Sequence, residues 1–200
     1  MTHNYCIHNH KICQYIYNDR KKIGYEKNTG AAVFPVTNLF KKELCVLLGL
    51  ERHGIYSDLF NLCAGGMDKK DNGCFLQNAQ RELKEEFKIK CNKLWADCND
   101  KTDNTEVYES EDYICFLFNA TPVFIIGISN ISTELINKKI EKCNCNRDLS
   151  WSEREMYKVE YFSLKNLKLI ILGYYKGIEY RDASLSKFAT GVIQHVLTHF

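Results

Sequence analysis

Proline is nearly missing from this chain, with two residues in 200. Lys outnumbers Arg, and Asn and Ile are frequent, a bias that fits an AT-rich genome and speaks of origin rather than chemistry. Long apolar runs are also missing. A membrane-spanning helix needs roughly 20 apolar residues, and the apolar stretches here hold a few each, so no membrane partner is expected. Met1 to His10 is polar, which gives no sign of a secretory leader. Nor is one sign of charge in excess: 27 Lys and Arg stand against 25 Asp and Glu, a net +2. That argues against a dedicated nucleic-acid arm, though not against a local basic groove. There is no internal repeat and no low-complexity linker. The remaining composition, 45% hydrophobic, suits one compact domain with short additions.

Cysteine is not scarce. Ten cysteines in a short secreted chain would suggest disulfides. Without a leader they read as free thiols in a reducing cytosol, so a cytoplasmic location is expected. Cys6, His8, His10 and Cys13 offer zinc-type ligands, but one short segment with no second pair matches no established zinc spacing. Residues 1–24 are therefore read as an N-terminal extension, an irregular tail or a strand, and Arg20-Lys21-Lys22 as a solvated turn. Cys143 and Cys145 are too few for a metal site.

Residues 65–89 organise the rest. Gly65-Gly66 opens a polar loop, and a helix is predicted from about Phe75 to Phe87. Leu76, Ala79, Leu83 and Phe87 recur every three or four positions and give it one buried face. Glu82, Glu85 and Glu86 fall at i, i+3 and i+4, so their carboxylates share a side. Such a face is either solvated beside lysines or holds a hard cation such as Mg²⁺, which takes carboxylate oxygens together with substrate phosphates.

Around this helix the pattern is mixed. Ala31 to Thr37 and Glu43 to Leu50 read as buried strands joined by a hairpin over 38–42. Glu51 to Tyr56 reads as a loop, with Leu59 to Ala64 leading into Gly65. A polar stretch from Lys90 to Asp112 is expected to hold a strand near Leu94 to Ala96. Strands are predicted at Tyr113 to Asn119, Val123 to Ile128 and Met156 to Leu164. A short helix is expected over Glu134 to Lys142 with Leu135, Ile136 and Ile140 inward, and another near Leu164 to Leu167. Leu185, Phe188, Ala189, Val192, Ile193, Val196, Leu197 and Phe200 mark a C-terminal amphipathic helix, capped near Asp182 or Ser184, that packs on the core or forms a dimer surface.

The stretch from Gly66 to Ile89 resembles the Nudix box of the Nudix hydrolases: Gly, five residues, Glu, seven residues, then Arg-Glu-aliphatic-any-Glu-Glu-any-Gly-aliphatic. Arg81-Glu82-Leu83-Lys84-Glu85-Glu86-Phe87-Lys88-Ile89 matches the second half except at Lys88, where the family has Gly. Gly66 stands as the opening glycine with one extra loop residue, and Gly73 stands where the family has Glu. Either Gly73 leaves the arginine without its usual carboxylate, or the longer loop moves that position away and Asp68 or Asp71 substitutes. Arg154-Glu155 before the last strand is loosely similar to Nudix proteins of large DNA viruses.

The resemblance implies an α/β fold, an α/β/α sandwich around a central mixed sheet, over residues 25–200. It implies a metal-dependent hydrolase that cleaves a phosphoanhydride bond in a nucleoside diphosphate linked to another moiety. Glu82, Glu85, Glu86 and the Gly65 carbonyl would hold Mg²⁺ or Mn²⁺. Arg81 would orient a glutamate. Glu155, or Glu153 as the near alternative, would supply a further ligand or the general base, with Glu85 as the fallback. Arg52 and Tyr56 would contact substrate, against the alternative of a surface loop. The partner is a nucleotide-type small molecule. Removal of an RNA cap is a second reading, and a weakened nucleotide-binding module is a third, kept open by Gly73 and Lys88. The protein would act as a monomer or homodimer.

Overall fold

The structure, a computed structural model, describes residues 11–22, 30–39, 43–89, 108–110, 113–128, 131–171 and 185–199. An eight-stranded mixed sheet is its centre. β1 (Ala31–Leu39) runs parallel to β7 (Thr121–Gly127) and antiparallel to β2 (Glu43–Glu51). β6 (Tyr113–Phe118) joins β7, and β5 (Tyr108–Ser110) extends that edge. β8 (Met156–Ser163) pairs along β2 from Cys45↔Ser163 to Leu50↔Lys158, with an irregularity before Glu51↔Met156.

The centre of the sheet splays. The first part of β1 pairs with β4 (Cys63–Gly65), its last part with β2, while the end of β2 pairs with β3 (Phe60–Asn61). The segment from Phe60 to Gly65 thus passes from β2 to β1 at Leu62. Pro35 lies between the β1 residues paired with β4 and those paired with β2, a place where its missing N–H breaks no ladder on that edge.

Central strands buried on both faces read as unbroken apolar runs. Along β1, Ala31 and Val33 enter one core while Ala32, Phe34 and Val36 enter the other, the period of two that a pleated strand imposes. Helices α1 (Lys11–Lys22), α2 (Phe75–Glu86) and α3 (Thr133–Cys145) supply residues to the first core, and α4 (Leu164–Ile171) and α5 (Lys187–His199) to the second. The architecture is therefore the expected α/β/α sandwich.

Four local readings change. Residues 11–22 form a helix rather than an irregular tail, with Cys13 and Ile16 fully buried beside Cys74 and Phe75. Arg20 is buried over the Phe75 ring, 5.4 Å from its centroid, and is not part of a solvated turn. Leu135 stays 57% exposed, while Ile136 and Ile140 alone of that trio are buried. The cap of α5 is Ser186, whose Oγ accepts from the Ala189 N–H (2.9 Å) and donates to Asn61 Oδ1 (2.6 Å). The strand expected at Leu94 to Ala96, the tetrad residues Cys6, His8 and His10, and Asp182 and Ser184 lie outside the described residues.

Candidate active site

α2 starts from a loop that carries its own scaffold. Asp68 and Asp71 cap a short 3₁₀ turn reciprocally: Asp68 Oδ1 accepts from the Lys70 N–H (3.1 Å), and Asp71 Oδ2 from the Asp68 N–H (2.8 Å). This turns Asp71 inward, where it is buried. Asn72 and Gly73, both at positive φ, then swing the chain into the helix.

Arg81 meets Asp71 in a two-pronged pair, Nε to Oδ1 at 2.9 Å and Nη2 to Oδ2 at 3.0 Å. The same guanidinium reaches Glu85 (Nη1 to Oε2, 2.8 Å), Glu82 (Nη2 to Oε1, 2.6 Å) and the Gly66 carbonyl (2.8 Å). Burial works against its charge, but the bonds it donates to Asp71 and Glu85 and the field of Glu82 hold its pKa above the ordinary arginine value. Asp71 thus supplies the carboxylate that the sequence lacks at Gly73, whose own carbonyl accepts from Tyr17 Oη at 2.8 Å. Asn78 ties the loop down, donating to the Gly66 carbonyl (2.8 Å) and accepting from the Ala31 N–H (2.6 Å). For a hydrolase of the kind the resemblance implies, Asp71→Asn is expected to lower kcat by about 10- to 100-fold, the scale for groups that orient a metal-site ligand. Adding Gly73→Glu to it should restore nothing; rescue by that double variant, measured by steady-state kinetics, would place the missing carboxylate at Gly73 after all.

Beneath this pair the carboxylates crowd. Glu82 and Glu86 are 3% and 2% exposed, and Glu51, at the irregular end of β2, is 6% exposed. Gly65 leaves room for the Glu82 carboxylate: a Cβ there would lie 2.2 Å from the Glu82 carboxyl carbon and would push that side chain aside. Glu86 Oε2 accepts from the Ala64 N–H (3.3 Å). Burial, then the charges of Glu155 and Glu82, pushes the Glu86 carboxyl well above the usual range. Burial raises Glu82 to about 7, with Arg81 opposing, and raises Glu51 to about 7, with a hydrogen bond from Asn61 opposing and Glu155 reinforcing. Glu155 is itself raised by burial.

Glu155 and Glu153 part company. The charge of Glu155 reaches Glu86 and Glu51. Glu153 instead accepts from the Ser150 N–H (3.0 Å) and Oγ (2.8 Å), bonds that lower its pKa. The loop is anchored by Lys88. This residue sits left-handed after α2, at φ 57, where the family pattern has Gly. Its Nζ donates to the Glu85 carbonyl and, across the gap, to the Glu153 carbonyl (2.7 Å). The Ile89 N–H meanwhile returns to the Leu83 carbonyl (3.3 Å). Lys88→Gly should relieve about 1 kcal/mol of backbone strain while freeing the loop before Glu155. The expected result is an unchanged or higher Tm with a lower kcat, and Lys88→Arg should keep both. A kcat that follows Tm across the three proteins would reduce Lys88 to a helix cap.

Do these residues fit a divalent cation? Among the described residues, no three His, Cys, Asp or Glu side chains form a coordination-ready group. Glu82 and Glu85 are turned toward Arg81, and Lys70 Nζ also reaches Glu85 (3.1 Å). The fit is one of charge. Glu155, Glu82 and Glu51 all raise the pKa of Glu86, Glu155 raises that of Glu51, and Arg81 is already divided among Asp71, Glu82 and Glu85. A buried anionic cluster short of positive charge, built of oxygen donors, suits a hard cation. The Gly65 carbonyl oxygen lies against Gly30, whose absent Cβ would be 1.9 Å away.

Of the residues expected to touch substrate, Arg52 follows Glu51 directly, and its N–H donates to the Glu155 carbonyl (2.7 Å). Tyr56 closes the same turn through its carbonyl, which accepts from the Leu59 N–H (2.9 Å); nothing described joins its ring to the carboxylates. Glu51 escaped the sequence analysis. A lone acid ending an apolar strand was its signal. The tethering role of Lys88 escaped too, because sequence registers only the lost glycine.

No family model matches the chain, and no curated protein matches it. Solved structures do. The NUDIX domain of Shewanella oneidensis NrtR, in a cocrystal with ADP ribose, is 15% identical over 99% of this chain and 98% of that one, with a TM-score of 0.47. A MutT protein from Methanosarcina mazei Go1 is 15% identical over 86% of this chain and 96% of that one, TM-score 0.39. A NUDIX hydrolase from Nitrosomonas europaea is 13% identical over 86% and 92%, TM-score 0.39.

Proposed function

We propose that this chain is a Nudix-type pyrophosphohydrolase, dependent on Mg²⁺ or Mn²⁺, acting on a nucleoside diphosphate linked to another moiety. One observation carries the reading: the box helix buries Glu82 and Glu86 within the field of the partly buried Glu155, while Arg81 beside them is shared with Asp71 and Glu85. A solvated Glu/Lys face would leave Glu82 and Glu86 exposed. A structural core would not bury unmatched acids at such cost.

Glu82, Glu85 and Glu86, with the Gly65 carbonyl, are the proposed metal ligands. The ion, when bound, neutralises the diphosphate and lowers the pKa of water beside it. Arg81, braced by Asp71, fixes the orientation of Glu82 and Glu85. Glu155 is the proposed general base: its loop position lets it approach and withdraw, and burial raises its affinity for a proton above that of an ordinary glutamate. Arg52 and Tyr56 are proposed substrate contacts.

The test is a substrate panel of NDP-sugars, ADP-ribose, dinucleoside polyphosphates, dNTPs, inositol pyrophosphates and capped RNA. Each is incubated with Mg²⁺ and with excess chelator. Phosphoanhydride cleavage that needs the metal supports the reading; full turnover after rigorous chelation rejects it.

A further inference from the structure

Three oxygens near the start of α2 are each approached by the same two nitrogens. Arg81 Nη2 lies 2.8 Å from the Gly66 carbonyl oxygen, 3.0 Å from Asp71 Oδ2 and 2.6 Å from Glu82 Oε1. Asn78 Nδ2 reaches the same three atoms, at 2.8, 3.2 and 3.4 Å. Asn78 precedes Arg81 by three residues and Glu82 by four, so the three side chains share one side of the helix. The other end of the amide settles its orientation. The Ala31 N–H can only donate, so the atom 2.6 Å from it is Oδ1, and Nδ2 faces the three oxygens.

Asparagine is a poor helix former in mid-helix, and a buried amide costs free energy unless its bonds are made. Asn78 is 0% exposed, on a helix whose other inward positions are mostly apolar. Its bonds show what it serves. Each of the two nitrogens carries two hydrogens, so neither alone satisfies three acceptors, whereas together they do. With Glu82 turned away from Arg81, the two nitrogens still grip the Gly66 carbonyl and Asp71. That grip bears on the preceding carbonyl. Gly65 and Gly66 are conformationally permissive, and tying the Gly66 carbonyl to α2 limits where the Gly65 carbonyl points. The Ala31 N–H, at the start of β1, anchors the tie from the sheet side.

We infer that Asn78 is a positioning residue of the cation site: it holds the Gly66 carbonyl and Asp71, so that Glu82 passes from Arg81 to the cation without loosening the loop that carries the Gly65 carbonyl. The cation rests on the proposed hydrolase reading; the sharing of the three oxygens does not. Asn78 touches neither substrate nor cation and acts through Gly66, Asp71 and Glu82.

The test is calorimetric titration with Mg²⁺ at neutral pH, well below Tm and without substrate. Asn78→Ala removes the amide, and Asn78→Leu removes it while refilling its volume. Both, shown to be folded by circular dichroism, should bind Mg²⁺ about tenfold or more weakly than the wild type, the scale on which groups behind metal ligands act. Unchanged affinity in Asn78→Ala, or wild-type affinity restored in Asn78→Leu, makes Asn78 a filler of space and overturns the role. NMR of the unsubstituted chain needs no variant to fold. The Asn78 side-chain N–H signals should move as Mg²⁺ saturates, because Glu82 leaves them, while the Ala31 amide keeps its protection from exchange. Asn78 signals indifferent to bound Mg²⁺ overturn the role as well. Weakened Mg²⁺ binding in both variants of a chain that hydrolyses no diphosphate would keep the role and reject the hydrolase. Mg²⁺-dependent hydrolysis with affinity unmoved in both variants would do the reverse, and a wild type that binds no Mg²⁺ would overturn both.

Discussion

Glu86→Gln is expected to lower kcat by about 10² to 10⁴, the cost of removing a group that acts on developing charge, while the protein folds as before. The substitution keeps volume and keeps an oxygen for the Ala64 N–H. What it removes is a charge that burial and the neighbours Glu155 and Glu82 already disfavour. Metal-free stability should therefore hold or rise. The pH dependence has a definite sign. Glu82 and Glu51 carry folded-state pKa values of about 7 against an ordinary 4.5. Between those values the unfolded chain has released protons that the folded chain still holds, so metal-free stability falls as pH rises through that window. Glu86→Gln should flatten the fall, read as Tm against pH. A variant with wild-type turnover would mean that this face of α2 has no part in the chemistry.

Glu155→Gln should lower kcat on a similar scale and leave KM nearly alone, with the acidic limb of the pH–rate profile shifted or lost. The loop should survive the change, because its anchors are backbone atoms: the Glu155 carbonyl on the Arg52 N–H and the Glu153 carbonyl on Lys88. Glu153→Gln is the control. Its carboxylate serves Ser150, so its loss should cost little rate. Silence of Glu155→Gln with a deficit in Glu153→Gln would move the base by two residues. Silence of both would pass the role to Glu85.

Much of this arrangement was legible beforehand, for reasons that differ by element. The α2 face was readable because Leu76, Ala79, Leu83 and Phe87 keep helical spacing, and all of them are buried. β1 and β2 were readable because strands buried on both faces leave no room for polar residues. α1 was not. It exposes enough lysine, asparagine and glutamine to look like a tail, and only contact with α2 shows why Cys13, Ile16 and Arg20 are buried. Leu135 was placed inward by its residue type, although it follows Glu134 on the solvent side of α3 and stays exposed. The cap of α5 was set too early because Ser186 is defined by a distant partner, Asn61.

At the site, spacing gave the glutamates but not their company. The gap at Gly73 looked like a loss. An inserted loop residue and a tight capped turn instead deliver Asp71 to Arg81. No local pattern reports that, since it depends on Asn72 and Gly73 turning left-handed. Glu51 was hidden for a similar reason: Asn61 comes from across the next turn and Glu155 from a segment far along the chain.

The claim at the centre is that the buried carboxylates of α2 hold a divalent cation. It is tested most directly by Mg²⁺ titration at neutral pH without substrate, following Tm for the wild type and for Glu86→Gln. The wild type should gain stability in a saturable way, by the amount that ligand binding to the folded state alone confers. Glu86→Gln, folded and of equal or higher starting Tm, should gain little. Equal Mg²⁺-induced shifts in the two proteins, or none in either, would contradict it.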